Sequence, residues 1–319
     1  MSIRDIDLAR ADCMSIHNQQ SAAVNELVSC IGELNPVHKK HLALALEQIS
    51  IEEMEGLDRY IAYCAKTGLS VPYLAECYLT IVFDTLREQV YFKKHGHYRH
   101  ACFRDVADDV YLNESYMEKY MYGLALTLYL WPRHLGIYRY FLKTLPRTSR
   151  GKYLEIGPGH GANMMLAMQV TSYDSFHGID ISKTSIDMTR NIIEYNIPQA
   201  RHKYTLEQLD FLSARPPQEK YACIVMGEVL EHVEQPAEFL TTAAEMARDD
   251  AHIFVTTCIN TPAVDHIYLF ETSRQITRMI EECGLRVRDE LVLPYEGMPL
   301  DACMAARLPV SVAYILGKT

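Results

Sequence analysis

The feature that most constrains this chain is one continuous stretch from Tyr153 to Met164, which has the sequence YLEIGPGHGANM. It opens with an apolar run that predicts a buried strand, and a cluster of glycine and proline residues ends that strand. Apolar residues at helical spacing follow and predict a helix. Strand, tight glycine turn and helix in this order bring bare backbone against a nucleotide-like ligand at one edge of an α/β sheet. The stretch therefore predicts a ligand-binding turn.

Two carboxylates sharpen this prediction. Glu155 lies inside the predicted strand, where a charge is costly unless a hydrogen-bond donor or a cation meets it. Asp180 ends the next predicted strand, where an acid can accept hydrogen bonds from both hydroxyls of a ribose. The alternative for Asp180 is a simple carboxylate at a helix N-terminus, ahead of Ser182. The turn does not match the motifs for NAD or ATP, because it lacks the G-x-G-x-x-G spacing and no Lys-Ser/Thr pair starts the helix.

These residues resemble the signature of class I S-adenosylmethionine-dependent methyltransferases. The pattern E-x-G-x-G-x-G is similar to the first motif of that family, and Asp180 stands at its following acidic position. The segment Met226–Val233, MGEVLEHV, is similar to the E-x-LEH-V segment of the branch that contains the ubiquinone-pathway O-methyltransferases. The resemblance covers about residues 150–319. One departure is Tyr221-Ala222, where family members usually begin the fourth strand with Phe-Asp.

The resemblance implies a cofactor, S-adenosyl-L-methionine, which leaves as S-adenosyl-L-homocysteine after the reaction. It implies that Glu155 and the turn glycines hold the methionine part, that Asp180 holds the ribose, and that the pair Asp210 and Phe211 flanks the adenine. For Asp210 an ordinary loop residue is the alternative. The residues implied in cofactor binding are Glu155, Gly157, Gly159, Gly161, Asp180, Asp210, Phe211 and Glu228.

The rest of the chain divides near residue 150. Residues 1–150 show only helical periodicity and predict an all-helical domain for substrate binding or dimerisation, whereas residues 151–319 alternate strands and helices and form the predicted cofactor domain. The predicted fold is α/β, with a Rossmann-like seven-stranded methyltransferase sheet. The resemblance implies that the last two strands, which residues 294–309 separate, form an antiparallel hairpin. Predicted strands are 152–157, 175–181, 200–210, 221–228, 251–259, 286–294 and 310–317. Predicted helices of this domain are near 161–170, 183–196, 235–248 and 271–283.

Charge and cysteine usage narrow the class of protein. The net charge of −10 argues against a nucleic-acid surface, which needs a basic stripe. The nine cysteines are scattered without a C-x-x-C pair, as in a reduced cytosolic protein. No apolar run is long enough to span a membrane, and no apolar signal core follows the N-terminus. We therefore expect a cytoplasmic protein that binds neither nucleic acid nor membrane.

The candidate catalytic residues follow the fourth and fifth predicted strands. Glu228 and His232 are spaced to share one side of a helix or turn, so His232 could be a general base that a carboxylate orients. The alternative is that Glu231 and His232 cap the helix that begins near Gln235. His266 could meet the acceptor or serve as a structural histidine. The catalytic candidates are thus His232, Glu228 and His266.

The helical region is rich in tyrosine and predicts a pocket for an aromatic acceptor, with a simple core as the alternative. The candidate acceptor-binding residues are Tyr122, Tyr129, Trp131 and His266. No metal site is predicted, since the segment from His95 to His100 has no accompanying carboxylate or cysteine cluster and suits a solvated loop. Glu296 and Met298 could close over the pocket or belong to an exposed loop.

Two classes of function remain open at this point. The first is an enzyme that methylates oxygen, nitrogen or carbon of a small molecule, in specialised metabolism and as a possible homodimer. The second is a non-catalytic cofactor-binding module whose helical domain docks a partner protein. A protein methyltransferase is a third possibility and would need an open acceptor groove.

Overall fold

The computed structural model describes residues 22–215 and 217–319, so the first part of the N-terminal helical prediction lies outside the described residues. Short turns connect the longer helices. They are a 3₁₀ turn at Pro36–His38 and a helical turn at Arg104–Val106 that continues into a π-helical turn at Ala107–Tyr111. The helices ahead of the sheet are α1 (Ala22–Leu34), α2 (Lys39–Leu46), α3 (Ile51–Lys66), α4 (Val71–His95), α5 (Glu114–Leu130) and α6 (Pro132–Thr144). Residues 22–151 contain no strand, as the sequence predicts.

Capping residues and a proline determine where several of these helices begin or end. Ser50 starts α3 with a capping box. The side chain of Ser50 accepts a hydrogen bond from the backbone N–H of Glu53, and the side chain of Glu53 accepts one from the backbone N–H of Ser50. Asn113 caps α5 as predicted and accepts from the N–H of Tyr116. Pro132 lacks the N–H that a continued helix would need, so α5 ends and α6 begins around Trp131.

The α4 and α5 helices lie unusually close together. A Cβ atom at Gly123 would stand 2.3 Å from the carbonyl oxygen of Cys77, so only glycine allows this approach. The contact fixes the rotation of α5 about its own axis. As a result one face of α5 packs into the helical region and the opposite face is free to line a cavity.

The sheet has seven strands in the order β3-β2-β1-β4-β5-β7-β6, and β7 runs antiparallel to the other six. This order confirms the predicted methyltransferase-type fold. The strands are β1 (Lys152–Ile156), β2 (Ser175–Asp180), β3 (Tyr204–Gln208), β4 (Tyr221–Gly227), β5 (Ala247–Ile259), β6 (Leu285–Leu293) and β7 (Val310–Lys318). Helices α7 (Ala162–Val170), α8 (Lys183–Asn196), α9 (Pro236–Met246), α10 (Ser273–Glu282) and α11 (Leu300–Ala305) connect them.

Two strand boundaries and one helix differ from the prediction. The β3 strand is shorter, because Pro198 starts a 3₁₀ turn that occupies the first residues of the predicted strand. The β5 strand begins earlier, at Ala247, which pairs with Tyr221 although the polar residues after it are exposed. The α11 helix lies inside the segment between the last two strands and has no counterpart in the prediction.

One hydrophobic cluster joins the helical region to a face of the sheet. The ring of Phe141 in α6 meets Phe254 in β5 edge to face, with 5.1 Å between centroids. A second cluster, with Leu240 and Ile280, packs α9 and α10 on the other face. The division at residues 150 and 151 stays a prediction. The shared cluster packs the helical region against one face of the sheet.

In residues 22–215 and 217–319 no helix is by itself long and apolar enough to cross a membrane. The α3 and α4 helices reach that length and composition only as a pair, and they are bent by 115° relative to each other.

Candidate active site

The predicted glycine turn joins β1 to α7 at the edge of a cavity of about 520 Å³. Gly157, Gly159 and Gly161 have φ angles of 66°, 54° and 79°, in the left-handed region that favours glycine. Gly157 and Gly159 line the cavity, whereas Gly161 does not. A Cβ at Gly161 would lie 2.6 Å from the Cα of Thr189, so this glycine allows α7 to pack closely on α8. Gly161 therefore has a packing role, and its predicted cofactor contact stays a prediction.

Glu155 brings a buried carboxyl group into the cavity wall. The hydroxyl of Tyr153 donates a hydrogen bond to its Oε2. Burial raises the pKa of Glu155 to about 8, and the hydrogen bond from Tyr153 opposes this rise only in part. A cation in the cavity would stabilise the charged form of Glu155, so the site fits the ammonium group of a methionine moiety.

Asp180 lies across the turn from Glu155 and also lines the cavity. Its carboxylate accepts from the N–H of Gly159 at 3.2 Å and from the N–H of Ser182 at 2.8 Å. Burial raises its pKa to about 6, against the effect of these bonds. Since Ser182 itself is the N-cap of α8, the position of Asp180 in the cavity wall favours the ligand-binding interpretation over the capping one.

The predicted adenine pair lies at the end of β3. Asp210 is an exposed loop residue whose carboxylate accepts from the N–H of Leu212 and starts a short 3₁₀ turn. Phe211 is buried, with its ring 5.4 Å from that of Phe239. Both residues line the cavity. Asp210 is thus a loop residue and also lines the cavity, so the two predicted alternatives are compatible.

The segment after β4 differs from its predicted geometry. Glu228 has a left-handed φ of 53°, and its N–H is held by the hydroxyl of Thr256 at 2.9 Å. Leu230–His232 form a 3₁₀ turn, not an α-helix, so the expected helical pairing of Glu228 with His232 does not form. Glu231 is fully buried and accepts from Thr257 at 2.7 Å. Glu228 nevertheless lines the cavity with His232.

The capping alternative for Glu231 and His232 is not what the structure shows. Gln235 is the N-cap of α9, and Pro236 is its first residue. Burial raises the pKa of Glu231 well above its usual value, and the neighbouring Glu228 carboxyl adds to the rise. Glu231 thus points towards β5, away from the helix that it was expected to cap.

His232 finds its carboxylate partner in the loop after β5. Its Nδ1 lies 3.3 Å from Oδ2 of Asp265, 3.2 Å from the backbone oxygen of Asp265 and 3.0 Å from the hydroxyl of Tyr111. Tyr111 and Tyr120 both donate to the Asp265 carboxylate, at 3.1 and 3.4 Å. Asp265 oxygens only accept, so we assign the proton of the neutral His232 ring to Nδ1. Its Nε2 is then free to take a proton.

Both tyrosines of this network remain donors. Burial raises the pKa of Tyr111 and of Tyr120 well above the usual value, and the Asp265 carboxylate adds to the rise. The phenols therefore stay protonated, and Asp265 is held by two hydrogen bonds. This arrangement fixes the carboxylate against the imidazole of His232.

His266 makes a hydrogen bond to the backbone and also lines the cavity. Its Nδ1 lies 2.6 Å from the backbone oxygen of Thr261, so Nδ1 donates. Burial, with a smaller contribution from the neighbouring His232, lowers its pKa to about 3, so the ring stays neutral at ordinary pH. Its ring stands perpendicular to that of His232, with 4.7 Å between centroids. His266 is thus better suited to position His232 and the acceptor than to act as a base.

Two groups of possible metal ligands occur in the described part of the chain, and His266 belongs to both. They are Glu231 with Cys258 and His266, and His232 with Asp265 and His266. The expectation that no metal is needed stays a prediction. The segment from His95 to His100 contributes to neither group.

The aromatic lining differs from the predicted set. Trp131 lines the cavity, but Tyr122 and Tyr129 do not. Tyr122 lies near Cys64 and Tyr129 reaches towards Gly56, so both face α3 on the far side of α5. The cavity face of α5 presents Met117, Tyr120, Met121, Leu124 and Leu128. Their three- and four-residue spacing is the signal that could have identified them in the sequence.

The sequence interpretation also missed cavity residues at the start of α6 and in the glycine turn. Arg133, His134 and His160 all line the cavity. Burial lowers the pKa of His160 to about 4. Nothing in the local pattern distinguishes these residues from surface ones, because their burial depends on how α6 packs against the sheet.

Comparison with known proteins shows similarity to methyltransferases. Residues 133–290 match the family model described as a methyltransferase domain. A ubiquinone biosynthesis O-methyltransferase of Pseudoalteromonas translucida (strain TAC 125) is 26% identical over 160 residues. That match covers 44% of this chain, which spans 65% of the length of this curated relative.

Two solved structures share the fold. The mitomycin 7-O-methyltransferase MmcR superposes with a TM-score of 0.52 at 11% identity and covers 78% of this chain and 70% of its own. Phosphoethanolamine N-methyltransferase 2 of Haemonchus contortus, in complex with S-adenosyl-L-methionine, has a TM-score of 0.50 at 13% identity. It covers 69% of this chain and 60% of its own. At such identities the likeness concerns the fold alone.

Proposed function

Because this chain belongs to the class I S-adenosylmethionine-dependent methyltransferases, we propose that it transfers the methyl group of that cofactor to a hydroxyl oxygen of a small molecule. The observation that carries the proposal is the shared cavity. Its lining includes the glycine turn with Glu155 and Asp180, and also His232 in its network with Tyr111 and Asp265.

The cofactor would supply a methyl group on a sulfonium sulfur: the acceptor atom would bond to the methyl carbon in line as the C–S bond breaks, and the sulfur would leave as the neutral thioether of S-adenosylhomocysteine. The protein residues have two tasks, to align the acceptor with that methyl and to accept the proton that a hydroxyl loses. His232 suits the second task, since Nδ1 is engaged by Asp265 and Tyr111 and Nε2 is free. An oxygen acceptor needs such a base more than an amine does, and the name of the O-methyltransferase relative supports the same choice.

The size of the cavity supports a small acceptor. A volume of about 520 Å³ falls in the range of small-ligand sites. Helices α5 and α6 cover it from above, with Trp131 and Phe141 in the wall. A partly aromatic space of this size suits a ring system. A role in specialised metabolism, a cytoplasmic location and a homodimer stay predictions.

Calorimetry and a turnover assay test the proposal together. We expect S-adenosylhomocysteine to bind and NADH, the control, not to bind. With methyl-labelled cofactor, a panel of phenols and catechols should be labelled on oxygen, whereas matched anilines should not. Binding without transfer to any acceptor would favour the non-catalytic module, and labelled anilines alone would exclude the oxygen acceptor.

The elevated pKa of Glu155 gives a prediction for cofactor binding. Glu155 has a pKa of about 8, so it is mostly protonated at about pH 7, and the cofactor ammonium would lower this pKa. Binding of S-adenosylhomocysteine should therefore release a proton near pH 7, and much less near pH 9 where Glu155 is already charged. Titration calorimetry in phosphate and in Tris, which differ in ionisation enthalpy, measures the release.

Glu155→Gln should abolish this proton release and weaken binding. Asp180→Asn is the matched control, because the pKa of Asp180 of about 6 leaves it mostly charged at about pH 7 before the ligand arrives. It should weaken binding and keep the buffer dependence. Equal binding enthalpies in both buffers for the wild-type protein would show that Glu155 does not meet the cation.

A further inference from the structure

An arginine with a mostly buried side chain lies in the cavity wall and has no role in the chemistry described so far. Arg133 is the second residue of α6, its side chain is only 12% exposed, and it lines the same cavity as His232. Its Nη1 is buried and has no hydrogen-bond partner in the described part of the chain. Guanidinium groups carry five donors and stay charged, so a buried donor without a partner is unfavourable. Such an arrangement indicates a missing anion.

The protein compensates this charge only weakly. Glu296 is the acidic neighbour, with Oε1 at 3.5 Å from Nε of Arg133, and its own side chain is 36% exposed. The ring of Tyr295 lies 5.6 Å from the guanidinium carbon. These contacts hold one side of the guanidinium and leave Nη1 unpaired.

Electrostatics connect Arg133 to the catalytic end of the cavity. Burial raises the pKa of the Cys258 thiol, Glu231 and Glu228 raise it further, and the Arg133 guanidinium opposes them. Arg133 therefore acts on the end of β5, next to the loop that carries Asp265. An acceptor in contact with both His232 and Arg133 is consistent with one shared cavity.

We propose that Arg133 binds a carboxylate of the methyl acceptor, and that the acceptor is an aromatic acid. A planar guanidinium fork matches a carboxylate in two parallel hydrogen bonds. The apolar wall of Trp131, Phe141 and Phe254 suits the ring that carries the acid. Glu296 serves as the counter-ion of Arg133 until the acceptor carboxylate takes its place. The ligand is the acceptor of the proposed methyl transfer, but binding can be measured without turnover.

Trp131 provides the probe, because it is the only tryptophan of the chain and lines the cavity. With S-adenosylhomocysteine at saturation, Trp131 fluorescence is followed during titration with 3-phenylpropanoate, benzoate and their uncharged amides. The wild-type protein should bind at least one acid roughly ten- to a hundredfold more tightly than its amide. Arg133→Met should remove this preference by weakening the acid and leaving the amide within about threefold.

Arg59→Met is the matched control, since it removes the same charge from a residue that is 66% exposed. It should keep the preference for the acid. Glu296→Gln should tighten acid binding, because it removes the competing carboxylate, and this result does not depend on whether Arg133→Met folds. No response to any acid, an unchanged preference in Arg133→Met, or weaker acid binding in Glu296→Gln would each overturn the proposal.

The two proposals fail in different ways. If acid binding depends on Arg133 but no acceptor is methylated, the anion site stands and the proposed transfer to oxygen falls. If oxygen is methylated with equal KM for acids and amides, the transfer stands and the role of Arg133 falls.

Discussion

Replacing His232 with asparagine is expected to lower kcat by about 10²- to 10⁴-fold, the range in which a positioned general base contributes. Asparagine can still donate towards Asp265 and Tyr111, so the network around the side chain is largely kept. What is lost is the free Nε2 that accepts the acceptor proton. Affinity for S-adenosylhomocysteine should change little, because the proposed cofactor contacts lie at the glycine turn, Asp180 and the end of β3. Steady-state kinetics and calorimetry on the same preparation separate the two effects.

His202→Asn is the control for this experiment, since His202 is exposed in the 3₁₀ turn before β3 and takes no part in the cavity. It should leave kcat and cofactor affinity as they are. Tyr111→Phe should lower kcat less than His232→Asn does, because Asp265 still holds the imidazole directly. A His232→Asn enzyme with wild-type kcat would show that the acceptor needs no base from His232, as a nitrogen or carbon nucleophile could.

The glycine turn and the acid at its edge could be placed in the cavity from the sequence because they are local in sequence. The turn that holds Gly157 and Gly159 follows its strand directly, and the acid at Asp180 ends the neighbouring strand. Parallel strands bring their carboxyl-terminal ends to one edge, so two local patterns sufficed to place these groups together. The close packing of Gly161 against Thr189 is a feature that no local pattern shows.

The acceptor side was not predictable because its contacts join distant parts of the chain. His232 meets Asp265, 33 residues later, only because β4 and β5 lie side by side, and it meets Tyr111 across 121 residues. Tyrosines occur on all sides of α5, so the sequence alone gives no rotation for that helix. Its rotation follows from the close contact of Gly123 with α4, which turns Tyr120 towards the cavity and Tyr122 away.

Gly159→Val is expected to weaken binding of S-adenosylhomocysteine by more than about a hundredfold, because it fills the space against which the cofactor is proposed to lie. The Cβ itself would stand 3.4 Å from Sδ of Met121, and the γ-methyl groups would extend further into the gap between the turn and α5. The φ of 54° is also strained for a β-branched residue, which would disturb the N–H bond from Gly159 to Asp180. Titration calorimetry measures the loss.

Strain and occlusion can be told apart, because the chain offers a second glycine with similar backbone geometry. Gly284 has a φ of 73°, lies between α10 and β6, and has no atom within 4 Å of an added Cβ. Gly284→Val should lower the free energy of unfolding by about 1–3 kcal/mol through strain alone and keep full cofactor affinity. If both variants are destabilised alike and only Gly159→Val loses binding, the loss comes from the filled space. Retained affinity in a folded Gly159→Val protein would mean that the cofactor does not lie against this turn.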